Sequence, residues 1–240
     1  MKTTHKTSSI YTENYWNNEW KNIFEHYQQD LRHAYYIQAI LNSDEKKVLE
    51  LGAGSFRDAA FLNKQNIDCY GVDYSAVSVQ MAKTYFPEFA DKFIQADALQ
   101  LPFDDKSFDF SYSNGVIGYL SNVQILQFFK EQLRVTSERL AVTVHNARNK
   151  QFYNYFCLKK GSDPLYSVRF FSIEEIKELL SSISNSITII PVGKRKIFFE
   201  DDLINLGLGT PKNIRKSFEY HKMNQLAISE RLLCIANLKK

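Results

Sequence analysis

Between residues 47 and 145 the sequence alternates short apolar runs with segments of helical period. The apolar runs predict strands at 47–51, 68–72, 92–95, 108–113 and 139–145. The segments between them predict helices at about 55–65, 75–86 and 121–135. Ser121 and Gln124 fit a capping box at the start of the third helix. Alternation of this kind predicts a parallel sheet that is covered by helices on both faces.

The flanking segments add further elements to this pattern. A helix is expected from Leu31 onward, another helix with a cap at Ser172 lies within 169–180, and strand-like runs occupy 186–192 and 231–238. The segments 146–171 and 193–230 are too long for plain connections, so we interpret them as insertions on the ligand side. Without a repeat or a low-complexity linker, residues 1–240 are interpreted as one domain in which 1–46 form a helical, aromatic lid.

The composition excludes several classes of protein. Apolar residues make up 44% and charged residues 24%, as in folded globular chains. No apolar run reaches the length of a membrane span, and the N-terminus has no apolar signal core, so a cytoplasmic location and no membrane partner are expected. The net charge of +3 is too small to indicate a nucleic-acid partner. Cys69, Cys157 and Cys234 are far apart, so neither disulfides nor a zinc site are expected.

The most specific motif is the loop VLELGAGSF at 48–56, which follows the first predicted strand. A glycine-rich turn from a strand into a helix lets the backbone approach a ligand. Gly52 and Gly54 match the start of the dinucleotide motif G-x-G-x-x-G, but Arg57 stands where its third glycine is needed. This argues against NAD(P). Glu50 supplies a negative charge beside the loop, which suits a cofactor that carries an ammonium group.

Two further carboxylates stand at the ends of the next strands. Asp73 ends the second strand, where its oxygens can accept both hydroxyls of a ribose. Asp97 follows the third strand, within reach of an adenine amino group. The carboxyl ends of neighbouring parallel strands are where such sheets bind ligands, so we expect the three acidic side chains to converge.

With these residues the chain resembles the class I S-adenosylmethionine-dependent methyltransferases, in particular the small-molecule (type 11-like) subgroup. The resemblance covers about 47–145 and the helix at 169–180. It implies a Rossmann-like sandwich with a seven-stranded, mostly parallel sheet whose last strand is antiparallel. It also implies S-adenosylmethionine as the cofactor and S-adenosylhomocysteine as its product. Phe56 departs from the family, which often has a third glycine there.

The resemblance implies roles for particular residues. Glu50, Gly52, Ala53 and Gly54 match the E-x-G-x-G loop around the methionine moiety. Asp73 matches the acidic residue on the ribose, with Tyr74 beside it, and Asp97 with Ala98 matches the adenine edge. Ser113 and Asn114 match the segment that lines the sulfonium. The predicted cofactor-binding residues, including two from the lid, are Glu50, Gly52, Ala53, Gly54, Asp73, Tyr74, Asp97, Ala98, Ser113, Asn114, Tyr15 and Trp16.

The remaining candidates concern the methyl acceptor. His145 ends the fifth strand and is the candidate general base, with a purely hydrogen-bonding histidine as the alternative. Asn146 and Tyr119 are candidate acceptor contacts. Segment 146–171 is rich in aromatic residues that would wall the acceptor or merely anchor the loop. Likewise, the aromatic residues of the lid, Tyr11 among them, would cover the cofactor or only pack.

These features predict transfer of a methyl group to an oxygen or nitrogen atom of a small molecule such as a metabolite, natural product or sugar derivative. No metal is expected, and the chain would act as a monomer or homodimer. An RNA or protein methyltransferase and a non-catalytic, cofactor-binding partner subunit stay open as alternatives. An NAD(P) oxidoreductase is disfavoured by Arg57. DNA adenine methylation is disfavoured because SNGV at 113–116 replaces an Asn-Pro-Pro-aromatic segment.

Overall fold

The structure, a computed structural model, describes residues 11–160, 164–194, 199–220 and 225–238. The lid prediction for residues 1–10 therefore lies outside the described residues. The same holds for 161–163 in the first predicted insertion and for 195–198 and 221–224 in the second.

The described strands form one sheet with the spatial order β3-β2-β1-β4-β5-β8-β7, and β6 pairs with β5. In chain order they are β1 Lys47–Leu51, β2 Asp68–Asp73, β3 Phe93–Gln95, β4 Phe108–Asn114, β5 Thr136–Asn146, β6 Phe170–Phe171, β7 Ser186–Lys194 and β8 Ser229–Asn237. The strands β1 to β5 run parallel, and β8 runs antiparallel to both β5 and β7. The predicted Rossmann-like, mostly parallel sheet with an antiparallel last strand is confirmed.

The sheet has one strand more than the seven expected. Phe170 and Phe171 pair in parallel with His145 and Asn146 at the end of β5. A two-residue strand carries no periodic signal, so the sequence pattern could not reveal it. It turns the predicted insertion 146–171 back against the end of β5, where the ligand side of the sheet lies.

Helices cover both faces of this sheet, as predicted. They are α1 Glu13–Ile23, α2 Arg32–Ile40, α3 Arg57–Lys64, α4 Ala76–Tyr85, α5 Asn122–Val135, α6 Lys150–Lys159, α7 Ile173–Ser181, α8 Phe199–Asn205 and α9 Pro211–Tyr220. The helices α2, α3, α4 and α9 pack into one buried cluster, around Ile37, Leu62 and Ile214. The helices α5 and α7 pack into a second cluster on the other face, around Phe128 and Ile176. The assignment of residues 1–240 to one domain stays a prediction.

The helix starts follow the capping residues of the sequence. Ser121 and Gln124 form the predicted capping box of α5, because each side chain bonds the backbone of the other. Ser172 caps α7 and accepts a hydrogen bond from the N–H of Glu175. Ser75 caps α4 in the same way, which places the end of β2 beside a helix N-terminus.

The two predicted insertions differ in what they contribute. The described part of 146–171 contains α6, β6 and a short 3-10 turn at Pro164–Ser167. Within 193–230, α9 packs against α2 and the Nη1 of Arg215 donates to the Ala39 carbonyl at 3.1 Å. The middle of the second insertion therefore extends the helical layer, and among its described residues those at its two ends reach the site described below.

The described residues contain neither a helix that is long and apolar enough to cross a membrane nor a metal-binding group of three or more His, Cys, Asp or Glu side chains.

Candidate functional site

A cavity of about 1230 Å³ opens at the carboxyl ends of β1, β2, β4 and β5. The predicted cofactor-binding residues that line it are Trp16, Glu50, Gly52, Ala53, Gly54, Asp73, Tyr74, Asp97, Ala98 and Asn114. His145 and Tyr119 also line it, so the cofactor and acceptor candidates share one cavity. Tyr15 and Ser113 are not part of this wall. Ser113 is buried in β4, and its hydroxyl has no hydrogen-bond partner among the described residues.

The loop after β1 is held in a conformation that favours glycine. Gly52 and Gly54 have φ angles of +66° and +55°. A Cβ on Gly52 would lie 2.3 Å from Val116, and one on Gly54 would lie 2.2 Å from the Trp20 ring. The glycines therefore make room for Val116 and Trp20 as well as shaping the turn. The packing role is a finding that the motif alone does not predict.

Asp73 fastens this loop to the end of β2. Its Oδ2 accepts from the Gly54 N–H and its Oδ1 from the Ser75 N–H, both at 2.8 Å. Burial raises the pKa of Asp73 to about 6, although these backbone donors act in the opposite direction. Each carboxylate oxygen has two lone pairs, so the group retains acceptor capacity toward the cavity.

Asp97 lies on the same cavity wall but is exposed. Its Oδ1 accepts from the Leu99 N–H at 2.8 Å, and a bridge between Asp97 and Gln100 closes the turn. The second carboxylate oxygen has no hydrogen bond to a described residue in this turn. Asp73 is thus buried and held by two hydrogen bonds, whereas Asp97 lies at the solvent-exposed end of the cavity.

Glu50 lies at the buried end of the cavity, beneath the loop. Its Oε2 accepts from the Ala59 N–H at 3.1 Å, in the first turn of α3. Burial raises the pKa of Glu50 well above its ordinary value, and the charge of Asp58 raises it further. Glu50 therefore tethers α3 to β1 beneath the loop, and the raised pKa favours the protonated form of its carboxyl.

A buried polar chain that sequence reasoning missed runs beside Glu50. His33 lies between Asp58 and Thr143, with Nδ1 2.6 Å from the Asp58 Oδ2 and Nε2 2.9 Å from the Thr143 Oγ1. Burial acts to raise the pKa of Asp58, but the hydrogen bond from His33 and the charge of Arg57 bring it below its ordinary value. The signal in the sequence is a histidine in α2 and a threonine within the apolar run at 140–144 of β5.

The N-terminal segment covers the loop, where the sequence placed a lid. Trp16 lines the cavity, and its ring meets those of Tyr15 and Tyr119 with centroids 5.1 Å apart in each case. The helix α1 is tied to α4 by Asn17, whose Oδ1 accepts from the Ser75 hydroxyl at 2.8 Å and the Val77 N–H at 3.1 Å. Tyr15 and Trp16 as cofactor contacts stay predictions.

His145 ends β5 among aromatic rings. Its Nδ1 lies 3.1 Å from the Arg231 Nη1. Burial, and then the charge of Arg231, lower the pKa of His145 well below its ordinary value, so the imidazole is neutral near pH 7. Arginine can only donate, so Nδ1 is the acceptor and the ring proton stays on Nε2. His145 as a general base stays a prediction, and in this geometry its basic nitrogen is already engaged.

The segment 146–171 brings an aromatic wall to the same end of the cavity. The wall residues that line the cavity are Phe152, Tyr155, Phe156 and Tyr166. The Phe152 ring stacks on His145 at an interplanar angle of 12°, and Phe156 lies edge-on to it. Tyr153 is also in the segment but is half exposed and outside the lining. Asn146 donates to the Leu226 and Ser229 carbonyls and so fixes the segment rather than facing the cavity.

Comparison with known proteins shows which family of proteins this chain resembles. A family model described as a methyltransferase domain matches residues 49–139. The matched segment is similar to a methyltransferase domain. It spans β1 to the first part of β5 and includes the loop, Asp73 and Asp97. The resemblance to the class I methyltransferases is confirmed.

A curated relative and two solved structures extend the comparison. The 2-phytyl-1,4-naphtoquinone methyltransferase of Nostoc punctiforme is 31% identical over 137 residues, which are 53% of this chain and 56% of that protein. The chain thus spans about half the length of that relative. An S-adenosylmethionine-dependent methyltransferase from Thermotoga maritima has a TM-score of 0.65 at 18% identity and covers 95% of this chain and 98% of its own. A plantazolicin methyltransferase, crystallised with an analogue of desmethyl-plantazolicin and S-adenosylhomocysteine, has a TM-score of 0.64 at 15% identity, with coverages of 95% and 94%. At these identities the two structures establish the fold.

Proposed function

We propose that this chain transfers a methyl group from S-adenosylmethionine to an oxygen or nitrogen atom of a small acceptor. The observation that carries the proposal is that Glu50, Asp73 and Asp97 line one cavity together with the loop after β1. The methyltransferase-domain match and the quinone-methylating relative support the same reaction class.

The residues present fit the proposed cofactor. Asp73 is held by two backbone donors, faces the cavity and has acceptor capacity for ribose hydroxyls. Glu50 offers carboxyl oxygens as acceptors at the end where the methionine ammonium would lie, and Asp97 has a carboxylate oxygen available for an adenine amino group.

When bound, S-adenosylmethionine would supply an electrophilic methyl carbon for the acceptor atom. The chain's own task is then to align the acceptor and to exclude water, which can contribute about 7–11 kcal/mol. Trp16 and Tyr119 close one side of the cavity, and the aromatic wall closes the other. Neutral His145 would offer its Nε2–H to the acceptor.

A calorimetric titration with S-adenosylhomocysteine tests the cofactor site. We expect the stripped wild-type chain to bind this compound and Asp73→Ala to bind it about 10- to 100-fold more weakly, because hydrogen bonds to a buried carboxylate are lost. His145→Ala should retain that affinity and lose turnover. The absence of binding to the wild type would refute the proposal, and equal losses of affinity in the two variants would refute the separate roles.

The pH dependence of this binding gives a second test. The carboxyl of Asp73 with a pKa of about 6 is ionised above that pH and protonated below it. Ribose hydroxyls donate to the ionised form, so affinity for S-adenosylhomocysteine should be full at pH 8 and fall as the pH drops through about 6. Asp73→Asn should remove this transition. A wild-type affinity that is flat between pH 5 and 8 would contradict the assigned role.

A further inference from the structure

Arg231 lies at the acceptor end of the cavity, where three strands meet. In the sheet register it is opposite His145 of β5 and Val192 of β7. A Cβ placed on Gly115, directly after β4, would lie 3.4 Å from the Arg231 Nη1. Since β8 runs antiparallel, its first residues reach the same edge of the sheet as the last residues of β4 and β5. The guanidinium therefore lines the cavity beside the segment expected to flank the methyl donor.

This guanidinium has no carboxylate partner within ion-pair distance among the described residues. Its hydrogen bond goes to the neutral imidazole of His145. Glu230, the preceding residue, also lines the cavity, and its negative charge favours the ionised form of Arg231. Burial lowers the pKa of Arg231 below its ordinary value, although not enough to discharge a guanidinium near pH 7.

Two other arginines that line the cavity are paired with carboxylates. Arg32, which also lines the cavity, lies 2.9 Å from the Asp30 carboxylate and 3.3 Å from that of Asp201. Arg57 pairs with Asp58 at 3.2 Å. Arg231 alone of these three cavity cations has a shielded charge without such a partner, which is costly unless something else supplies the counter-charge.

We propose that Arg231 binds a carboxylate group of the methyl acceptor, so that the acceptor is a small apolar or aromatic carboxylic acid. One guanidinium N–H is used by His145, and the others can engage both oxygens of a carboxylate. The rings of Phe152, Phe156 and Tyr119 offer apolar surface around it. His145 then acts as a positioning residue, since its Nδ1 fixes the orientation of the guanidinium. The proposal rests on the proposed methyltransferase function.

Calorimetry with a panel of matched acids and amides tests the proposal in the presence of saturating S-adenosylhomocysteine. The probes are benzoate, phenylacetate and 1-naphthoate, each compared with its uncharged primary amide. The wild type should bind at least one acid about tenfold or more tightly than its amide, because a charge-assisted bond to a partly buried guanidinium is lost with the amide. If no acid in the panel is preferred over its amide, the proposal is overturned.

Variants at position 231 test whether Arg231 causes the preference for the acid over its amide. Arg231→Met should abolish the preference for the acid, and Arg231→Lys should retain the charge with a weaker preference. Arg148→Met is the matched control: it removes the same charge from an exposed site outside the cavity lining, and it should retain the full preference. A preference that survives in Arg231→Met overturns the proposal. The wild-type comparison stands even if Arg231→Met fails to fold.

The affinity for S-adenosylhomocysteine separates the two proposals. If the wild type does not bind this compound, the proposed function itself fails. If Arg231→Met binds it about tenfold or more weakly than the wild type, Arg231 serves the carboxylate of the cofactor, and the acceptor proposal is overturned. Retained cofactor affinity together with a lost acid preference supports it.

Discussion

At the scale of single residues, Phe56 combines a glycine-like backbone with a core side chain. Its φ is +56°, in the left-handed region, directly before α3. The ring is fully buried, lies 4.7 Å from the Phe93 ring between centroids, and occupies space that a side chain on Gly71 would need. The left-handed backbone costs about 1–2 kcal/mol for a residue with a Cβ. This chain offsets the cost of the backbone by burying a ring.

Substitutions at Phe56 should separate the two contributions. Phe56→Ala should lower the free energy of unfolding by about 3–5 kcal/mol, because a buried ring is lost while the backbone cost remains. Phe56→Gly should be more stable than Phe56→Ala by about 0.5–1 kcal/mol, because glycine adopts a positive φ freely. Urea unfolding of the three chains measures both differences.

The control for this comparison is an ordinary helical site. Val123 is exposed in α5, and there Val123→Gly should be about 1 kcal/mol less stable than Val123→Ala. If glycine were also the worse residue at position 56, the left-handed backbone would not be a stability cost at that position.

The spacing of residues along the sequence predicts some of the residues that line the cavity but not all of them. Glu50, Asp73 and Asp97 converge as expected, because parallel strands bring their carboxyl ends to one edge of the sheet. Ser113 is buried in β4 and outside the cavity lining, whereas Asn114 lines the cavity, since alternate residues of a strand face opposite sides. Ser113 as a contact of the sulfonium stays a prediction. The sequence does not say which of Ser113 and Asn114 faces the cavity.

At the scale of elements, α1 is held over the loop by contacts distant in the chain. Asn17 accepts hydrogen bonds from the Ser75 hydroxyl and the Val77 N–H, so it completes the cap of α4 from another helix. Trp20 of the same helix packs on Gly54. The sequence predicts a helical lid over 1–46 but not the bounds of this helix, because tertiary contacts rather than a pattern of its own hold α1 in place.

Asn17→Ala should loosen α1 without disturbing the sheet. The loss of one acceptor for two donors should cost about 1–3 kcal/mol locally. Hydrogen exchange should therefore quicken in α1 and the first turn of α4, while β1 and β4 stay protected. Asn22→Ala is the control, because Asn22 bonds only the Asn18 carbonyl on an exposed surface of α1. Uniformly faster exchange throughout the sheet would show that Asn17 supports the fold as a whole.

Strand direction explains why the sequence missed Arg231. The sequence predicts a strand at 231–238, but it predicts ligand-binding residues only at the carboxyl ends of parallel strands. In the structure β8 is antiparallel to β5, so its first residues lie at the ligand edge opposite His145. The pairing of strands far apart in the sequence decides this placement, and no local pattern encodes it.

At the scale of the whole molecule, one edge of the sheet concentrates buried acids. Burial raises the pKa of both Asp73 and Glu50, and Asp58 lies beside Glu50 in the same interior. Each is shielded where a stable core would place apolar side chains. We interpret the burial of these acidic side chains as a loss of stability that preorganises an acidic ligand site. Such a loss of stability is common at functional sites.

Glu50→Gln should reveal this trade directly. Because the folded state raises the pKa of Glu50, the folded chain retains a proton that the unfolded chain has released above its ordinary value of about 4.5. The contribution of Glu50 to stability is therefore greatest at acid pH and declines as the pH rises toward the folded pKa. Glutamine cannot ionise, so Glu50→Gln should raise the free energy of unfolding by about 1–3 kcal/mol at pH 8 and flatten its decline above pH 5.

Urea unfolding at pH 5 and pH 8 measures this effect, with Glu88→Gln as an exposed control that should change stability by less than about 0.5 kcal/mol. Calorimetry on the same variant should show weaker binding of S-adenosylhomocysteine, because glutamine cannot ionise to pair with the ammonium group of this compound. A Glu50→Gln chain that is less stable than the wild type at pH 8 would mean that the carboxylate supports the fold through the Ala59 N–H more than its burial costs. Gained stability with lost affinity would identify Glu50 as a residue retained for the ligand and not for the fold.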